Sequence, residues 1–221
     1  MDFDFSPLID SWRFLASGLG QTLLLSVTAV ACSFVLGLAV GLGRLYGPAW
    51  LRIPLVFYID SMRAIPVFVV LVWIYFSVPI LTGHSFAPFW AALAGITIHV
   101  AAYVAEVIRA GITSIRKGQV QAGLAIGMSR PQIVREILLP QAIVRMLPAF
   151  GSIISITIKD TAIAAVIAVP EYMNRSQTLA GQSFRPIEVF LVAMAVYFII
   201  LFPTTRIVDM VYVRLAHLGR S

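Results

Sequence analysis

The chain has 221 residues, 60% of them hydrophobic and only 12% charged. A soluble domain is nearer to about 45–50% apolar and 25% charged, so the composition excludes a water-soluble enzyme or binding module and describes an integral membrane protein. The net charge of +6 does not indicate a nucleic-acid partner, because most of the cations fall in loops facing one side, where membrane topology accounts for them.

The opening residues, MDFDFSPLID, are acidic and lack the basic stretch of a signal peptide. The apolar run that follows is too long for a signal core, so it is expected to stay attached. Five apolar segments reach the roughly 20 residues that crossing a bilayer requires. They cover about residues 18–42, 53–80, 88–110, 147–169 and 187–203. All are much longer than the strands of a membrane barrel, so the predicted fold class is all-α, a single transmembrane domain over residues 1–221 with five transmembrane helices. Eleven cations lie on one side: Arg44, Arg52, Arg109, Arg116, Lys117, Arg130, Arg135, Arg145, Arg206, Arg214 and Arg220. Three, Arg13, Arg175 and Arg185, lie on the other, and Arg63 and Lys159 fall inside spans. The asymmetry predicts an external N-terminus and a cytoplasmic C-terminus.

The first span contains the lone Cys32, so no intrachain disulfide is possible. Gly37, Gly41, Gly43 and Gly47 include a Gly-x-x-x-Gly, the small-residue pattern that lets helices approach closely in lipid. In the second span, Asp60 and Arg63 share a helix face. At about 1.5 Å per residue from Ile53, Arg63 falls roughly 15 Å deep, and Pro66 is expected to kink the helix just beyond it. A short external loop, Pro79 to Pro88, carries His84. The third span holds His99, read as a hydrogen-bonded packing residue, and Glu106, three residues from Arg109. Lys159 and Asp160 are neighbours in the fourth span, roughly 18 Å from its start, and point about 100° apart. The longer external stretch, Pro170 to Pro186, carries Glu171, Arg175 and Arg185. It reads either as a short surface helix where a partner docks or as a solvated connection. Ionisable groups inside a bilayer are expensive, so each is a functional candidate or one half of an ion pair that fixes helix registry. Registry is the first reading for Asp60 and Glu106, and function for Arg63 and Asp160.

Between the third and fourth spans lies residues 115–140, IRKGQVQAGLAIGMSRPQIVREILLP, too polar and too broken by glycine and proline to span. Arg116, Lys117, Arg130 and Arg135 place it in the cytoplasm. Two short helices are predicted. The first covers roughly Gln119 to Ile126 and stops at Gly127. Ser129 caps the second, with Gln132 completing a capping box and Pro131 in the opening turn. Pro140 is expected to end it after Leu139. Helices this short need a partner surface for Val120, Leu124, Ile133, Ile137 and Leu138.

This loop resembles the EAA motif of permease subunits of ATP-binding-cassette (ABC) importers: Glu-Ala-Ala, three residues, Gly, nine residues, then Ile-x-Leu-Pro. The matching positions are Gln121, Ala122, Gly123, Gly127, Ile137, Leu139 and Pro140. Gln121 stands where the family usually has Glu, removing a negative charge, and Gly123 stands where it has Ala, weakening the helix by about 1 kcal/mol. Further runs, SMRAIPVFVVLVWIYFSVP, AAYVAEVIRAGITSIRKGQ and IKDTAIAAVIAVPEY, resemble the polar amino-acid uptake branch, which contains histidine, glutamine, arginine and glutamate/aspartate permeases. Met62 to Pro66 corresponds to that branch's Phe-Arg-x-x-Pro, with Met62 replacing the aromatic, and Lys159-Asp160-Thr161 to its Lys-Asp-Thr. The wording around Trp73 and Arg109 is similar to glutamate/aspartate subunits.

The resemblance implies a type I ABC importer permease fold in a bacterial cytoplasmic membrane, with residues 115–140 as the coupling loop. It also implies a second permease copy or a homologous subunit, two cytoplasmic ATPases and an external solute-binding protein, with lipid around the spans. A zwitterionic amino acid needs a cation and an anion. Arg63 and Asp160 supply these, and Lys159 and Glu106 complete the substrate-binding candidates. Other amino-acid-like solutes, such as a basic amino acid, an opine or a compatible solute, remain alternatives. The chain has only two lysines, and neither Lys117 nor Lys159 sits in a phosphate-binding Gly-x-x-x-x-Gly-Lys loop, so ATP and Mg are expected on the partner ATPase and no cofactor here. An intramembrane enzyme would need more than His99 and Glu106, seven apart with no third metal ligand. A passive channel would leave the loop without a purpose.

Overall fold

The computed structural model describes residues 3–215, all helical where regular; Arg220, one of the cations counted above, lies outside them. A short helix α1 (Ser6–Asp10) leads into α2 (Trp12–Tyr46), whose 35 residues overrun the expected first span at both ends. Its small-residue face meets α5 (Pro88–Thr113), which matches the expected third span. A Cβ added at Gly37 would lie 2.5 Å from Val104 Cβ, and one at Gly41 would lie 3.1 Å from the Ala105 carbonyl oxygen. The Gly-x-x-x-Gly is therefore a helix contact, and it lies against Ala101, Val104 and Ala105 of α5.

The second span is not one kinked rod. α3 (Ala49–Ala64) and α4 (Val67–Thr82) meet at 108°. Ile65 is extended at φ −92°, ψ 131°, and Pro66 opens the next helix. The proline ring drives the preceding residue out of the helical region, so the helix breaks rather than bends. Along α4 a π turn covers Trp73–Ser77, and the Val78 N–H donates to the Trp73 carbonyl five residues back, immediately before Pro79.

After α6 (Lys117–Ala125), the helix α7 (Arg130–Ile167) contains the expected fourth span as its later part. Pro140 does not end it. A π turn over Ile133–Leu138 lets the Leu139 N–H reach the Val134 carbonyl, and the widened backbone runs on through Pro140, which has no N–H to give. α7 closes in a 3-10 turn, and α8 (Tyr172–Ser183) forms from the Pro170 to Pro186 stretch. It is a packed helix, because Tyr172, Ser176, Leu179 and Ala180 are buried.

The last helix, α9 (Pro186–Leu215), is far longer than the 17 or so residues expected, for it passes through Pro203 without stopping. Thr204 Oγ1 donates to the Ile200 carbonyl and Thr205 Oγ1 to that of Phe202, so hydroxyls take up carbonyls around the proline. Among the described residues, four long apolar helices and one broken pair thus supply four to five candidate membrane spans. The core lies where α2, α4, α5 and α7 meet, around Leu25, Leu71, Ile96, Val104 and Ile167.

Candidate functional site

The helical hairpin forms as the loop chemistry predicts. α6 closes in a Schellman motif: the Met128 N–H reaches the Gly123 carbonyl at 3.0 Å and the Gly127 N–H reaches that of Leu124 at 3.0 Å. Gly127 takes φ +82°, the left-handed geometry that this motif requires. Ser129 and Gln132 make the capping box, with the Ser129 N–H donating to Gln132 Oε1 at 2.8 Å. The partner surface for Ile133 turns out to be internal. Ile133 is 1% exposed, and a Cβ at Gly123 would sit 2.8 Å from its Cγ1. Gly123 therefore admits the isoleucine, a close approach that the sequence reading counted only as lost helix propensity. Leu124, Ile126, Val134 and Leu139 stay exposed, as do Gln121, Ala122 and Pro140; Ile137 is half-buried. The outward face thus carries four large apolar side chains beside polar Gln121.

Arg145 donates to the Ser114 carbonyl at 2.7 Å, tying α7 to the end of α5 beside the hairpin. About two turns back along α5, Glu106 is a hub. Arg44 from α2 contacts its Oε2 at 2.6 Å, Arg109 its Oε1 at 2.6 Å, and Arg63 its Oε1 at 3.9 Å. Tyr103 reinforces the link, its hydroxyl donating to the Arg63 carbonyl at 3.4 Å beneath the guanidinium. Arg63 pairs here with Glu106 rather than with Asp60. Counting along the sequence overstated its depth, because the break at Pro66 leaves it in the last turn of α3, beside the hairpin end of α5. Arg44 was missed as a partner because the Gly37/Gly41 contact that delivers it to Glu106 is a tertiary feature.

Lys159 and Asp160 diverge as their helical spacing requires. Asp160 is 8% exposed and Lys159 is exposed, and neither side chain makes a hydrogen bond or ion pair with another described residue. Arg63 and Asp160 make no ion pair with each other among the described residues. Lys159 borders two hollows, one of about 250 Å³ between α7 and α9 and one of about 380 Å³ toward α8. A larger groove of about 720 Å³ in the bend of α3 and α4 is lined by residues such as Met62, Ile65, Trp73 and Trp90 and offers a polar solute almost nothing to bind.

At the opposite end of the bundle, Glu171 is fully buried and caps α8, accepting from the N–H groups of Met173 and Asn174 at 2.9 and 2.6 Å. Thr22 of α2 and Tyr197 of α9 donate to its Oε2 at 3.2 and 3.1 Å. Burial pushes its carboxyl above the usual range, against the pull of these four donors. Arg175 reaches the Phe14 carbonyl and Arg185 reaches Asp4 and Glu188, so two of the three cations assigned to the minority side gather at this end.

An all-helical bundle with four to five apolar spans, charged groups within them and an amphipathic hairpin at one end is built as a multi-pass membrane permease. The comparisons name the class more closely. The profile of the family described as "Binding-protein-dependent transport system inner membrane component" matches residues 33–217, and the chain belongs to that family. It is 38% identical over 204 residues to the glutamine transport system permease protein GlnP of Escherichia coli (strain K12), covering 91% of this chain and 92% of the relative. It is 35% identical over 198 residues to a probable amino-acid ABC transporter permease protein, YckA, of Bacillus subtilis (strain 168), covering 90% and 87%. Among solved structures, one described as an amino acid ABC transporter with histidines superposes with a TM-score of 0.90 at 28% identity, covering 97% of this chain and 100% of that one. An inward-facing MetNI methionine ABC transporter shares the fold, with a TM-score of 0.72 at 22% identity over 91% and 98% of the two chains. The fold is that of a type I ABC importer permease. The chain is the membrane subunit, and ATP hydrolysis falls to a separate one.

Proposed function

We propose that this chain, a permease subunit of an ABC amino-acid importer, moves polar amino acids across a bacterial cytoplasmic membrane by alternating access. Two ATPases grip residues 115–140, a second copy or a homologous subunit completes the pathway, and an external binding protein delivers the solute. ATP-driven closure of the ATPases carries the hairpins inward and turns the spans from inward-open to outward-open; hydrolysis restores the first state. The observation that carries this reading is the continuity of α7, which joins the hairpin to Lys159 and Asp160 in one uninterrupted helix. The cation asymmetry supports a cytoplasmic hairpin, with the N-terminus outside and the C-terminus inside. Lipid surrounds the remaining apolar faces.

Relatives are named for glutamine, octopine, L-cystine and arginine transport. The zwitterionic α-carbon groups are common to these solutes, so the permease recognises those first, and glutamate/aspartate stays one candidate substrate. Arg63, Lys159, Asp160 and Glu106 are the charged groups offered to it. Reconstitution of the full assembly in liposomes, with ATP inside, tests the reading by uptake of labelled L-glutamine, L-glutamate, L-arginine and L-cystine. ATP-dependent accumulation of at least one is expected. Uptake without the ATPases, or none with them, would overturn it. Asp160→Asn is expected to depress solute-stimulated transport more than basal ATP hydrolysis; equal losses would make Asp160 a packing residue.

A further inference from the structure

Around the turn between α5 and α6 stand three cations with no acid among them. Ser114 caps α5 and Ile115 is buried, so Arg116 and Lys117 face outward at the opening of α6. Arg145 of α7 joins them from 31 residues away: its Nη1 donates to the Ser114 carbonyl at 2.7 Å and lies 3.3 Å from Ser114 Oγ. The chain holds Arg116 and Lys117 within about 7 and 11 Å of that anchor, since they follow Ser114 by two and three residues. Residues 107–135 and 137–159 contain no Asp or Glu. The acids that flank them in sequence are already taken, Glu106 by Arg44, Arg63 and Arg109, and Glu136 by Arg135.

Depth places this cluster among lipid headgroups. Trp90, exposed near the other end of α5, marks the outer interface, and a hydrocarbon core of about 30 Å takes up about 20 residues of helix from there. The core ends near Ala110, so Ser114 lies about 6 Å further, level with the cytoplasmic headgroups. All three cations are exposed, and the side chains of Arg116 and Lys117 make no hydrogen bond or ion pair with another described residue. Arg145 uses only Nη1 on Ser114, which fixes its guanidinium and leaves Nε and Nη2 without a partner among the described residues. Topology explains why cations lie on this side, but not why α7 sends one across to meet two others at the end of α5. A fixed guanidinium with two unused donors, flanked by two further cations at headgroup depth, is complementary to phosphate, which arginine holds through paired N–H bonds.

We propose that Arg116, Lys117 and Arg145 bind the phosphate of an anionic phospholipid in the cytoplasmic leaflet, and that the bound lipid regulates coupling. The phosphate bridges the end of α5 and the opening of α6 to α7, at the root of the hairpin. Occupied, the site braces that root. In a neutral membrane or at high salt it empties, the three cations repel one another, and the root is held by the Ser114 contact and packing alone. ATP-driven uptake therefore rises with the fraction of anionic lipid and falls with ionic strength. Gln121, standing where the family usually has Glu, leaves α6 with no negative charge to compete for these cations. This rests on the reading of the hairpin as cytoplasmic and gripped by the ATPases.

The test uses the permease–ATPase complex in nanodiscs of phosphatidylcholine alone and of phosphatidylcholine mixed with phosphatidylglycerol. Native mass spectrometry of the complex released from the mixed discs reads the retained phosphatidylglycerol, and proteoliposomes of the same two compositions read ATP-dependent uptake. The wild type is expected to retain phosphatidylglycerol in preference to phosphatidylcholine and to transport several-fold faster with it. Arg116→Gln, Lys117→Gln and Arg145→Gln each lower that retention by about fivefold, the factor that one cation near the membrane surface contributes, and the triple variant no longer responds to lipid charge. Arg145→Lys keeps the charge but loses the planar fork, and recovers only part of the loss. Arg214→Gln removes a cation from the same side outside the cluster and is expected to retain lipid as the wild type does. Equal retention by the wild type and the triple variant would overturn the site. So would full stimulation of the wild type in phosphatidylcholine by inorganic phosphate, which would make the ligand a soluble anion. If the triple variant loses its ATPases while still retaining phosphatidylglycerol, the cations are an ATPase contact and the lipid site is refuted. Failure of the permease reading shows elsewhere, as absent uptake by the wild type in either lipid, and lipid retention then still decides the site.

Discussion

Gly123→Ala is the substitution whose outcome the structure and the helix propensities predict in opposite directions. The φ of Gly123 is ordinary helical backbone, so alanine gains about 1 kcal/mol of helix propensity, and it is the residue that the family pattern carries here. Against this, the new Cβ lies 2.8 Å from Ile133 Cγ1, 3.0 Å from its Cδ1 and 3.4 Å from Ile137 Cδ1. Ile133 is fully enclosed and β-branched, with one stiff χ1 setting in a helix, so it yields only if the two helices separate. Overpacking of this kind costs about 1–3 kcal/mol, which offsets or exceeds the gain. Gly123→Ala is therefore expected to loosen the hairpin and reduce ATP-driven uptake several-fold, with normal insertion and span packing. Adding Ile133→Ala removes both clashing atoms and is expected to restore α6 docking in part. Transport in proteoliposomes and hydrogen exchange over residues 117–138 read the two effects. Uptake and protection in Gly123→Ala at or above the wild-type level would refute the packing argument.

Gly127 is the converse case. Its Cβ position is open, but its φ of +82° costs a non-glycine residue about 1–2 kcal/mol, so Gly127→Val is expected to unwind the Schellman turn and abolish uptake while the protein still inserts. Glu106→Gln removes the carboxylate that Arg44, Arg63 and Arg109 share; the hub is partly exposed, so thermal unfolding is expected to show a loss of about 2–3 kcal/mol. Combined with Arg44→Met, the loss falls short of the sum by about 1 kcal/mol or more, and strict additivity would deny the pairing. Glu171 has its pKa raised by burial, so the folded protein holds this proton more tightly than the unfolded chain. Its contribution to stability is then full below the ordinary value of 4.5 and is lost as pH rises through the elevated one. Glu171→Gln is expected to flatten the fall in melting temperature over that window, and an unchanged pH profile would contradict it.

Local chemistry was legible from the residues alone. Apolar run length marked where the long helices lie, the glycine spacing located the α2–α5 contact, and Gly127, Ser129 and Gln132 defined both ends of the hairpin turn. What failed were inferences about proline. Pro140 and Pro203 were read as helix ends because in water a missing N–H is decisive. Here a π turn carries the helix through Pro140, and at Pro203 the helix continues with the Thr204 and Thr205 hydroxyls on the nearby Ile200 and Phe202 carbonyls. Arg63 was misplaced for a different reason: depth counted along a sequence assumes a straight axis, and the 108° break removes that assumption. Pairings such as Arg44 with Glu106, or Thr22 with Glu171 some 149 residues away, had no local signal.

The prolines also divide the molecule into what must be stiff and what must turn. At Pro66 the preceding Ile65 is extended and the helix is severed, which lets α4 fold across the bundle. At Pro79 and Pro140 a π turn lies immediately before the ring, and the axis continues. Had Pro140 severed α7, the hairpin would hang from a flexible joint, and a push on it would dissipate in backbone rotation before reaching Lys159. With the helix whole, Arg130 and Lys159 lie at two ends of a rod roughly 44 Å long, and a displacement of the first is delivered to the second. Gly151 keeps that rod close against α9 beside the hollow that Lys159 and Asp209 share. A movement of the hairpin is therefore carried along α7 to the level of Lys159 with no joint to absorb it.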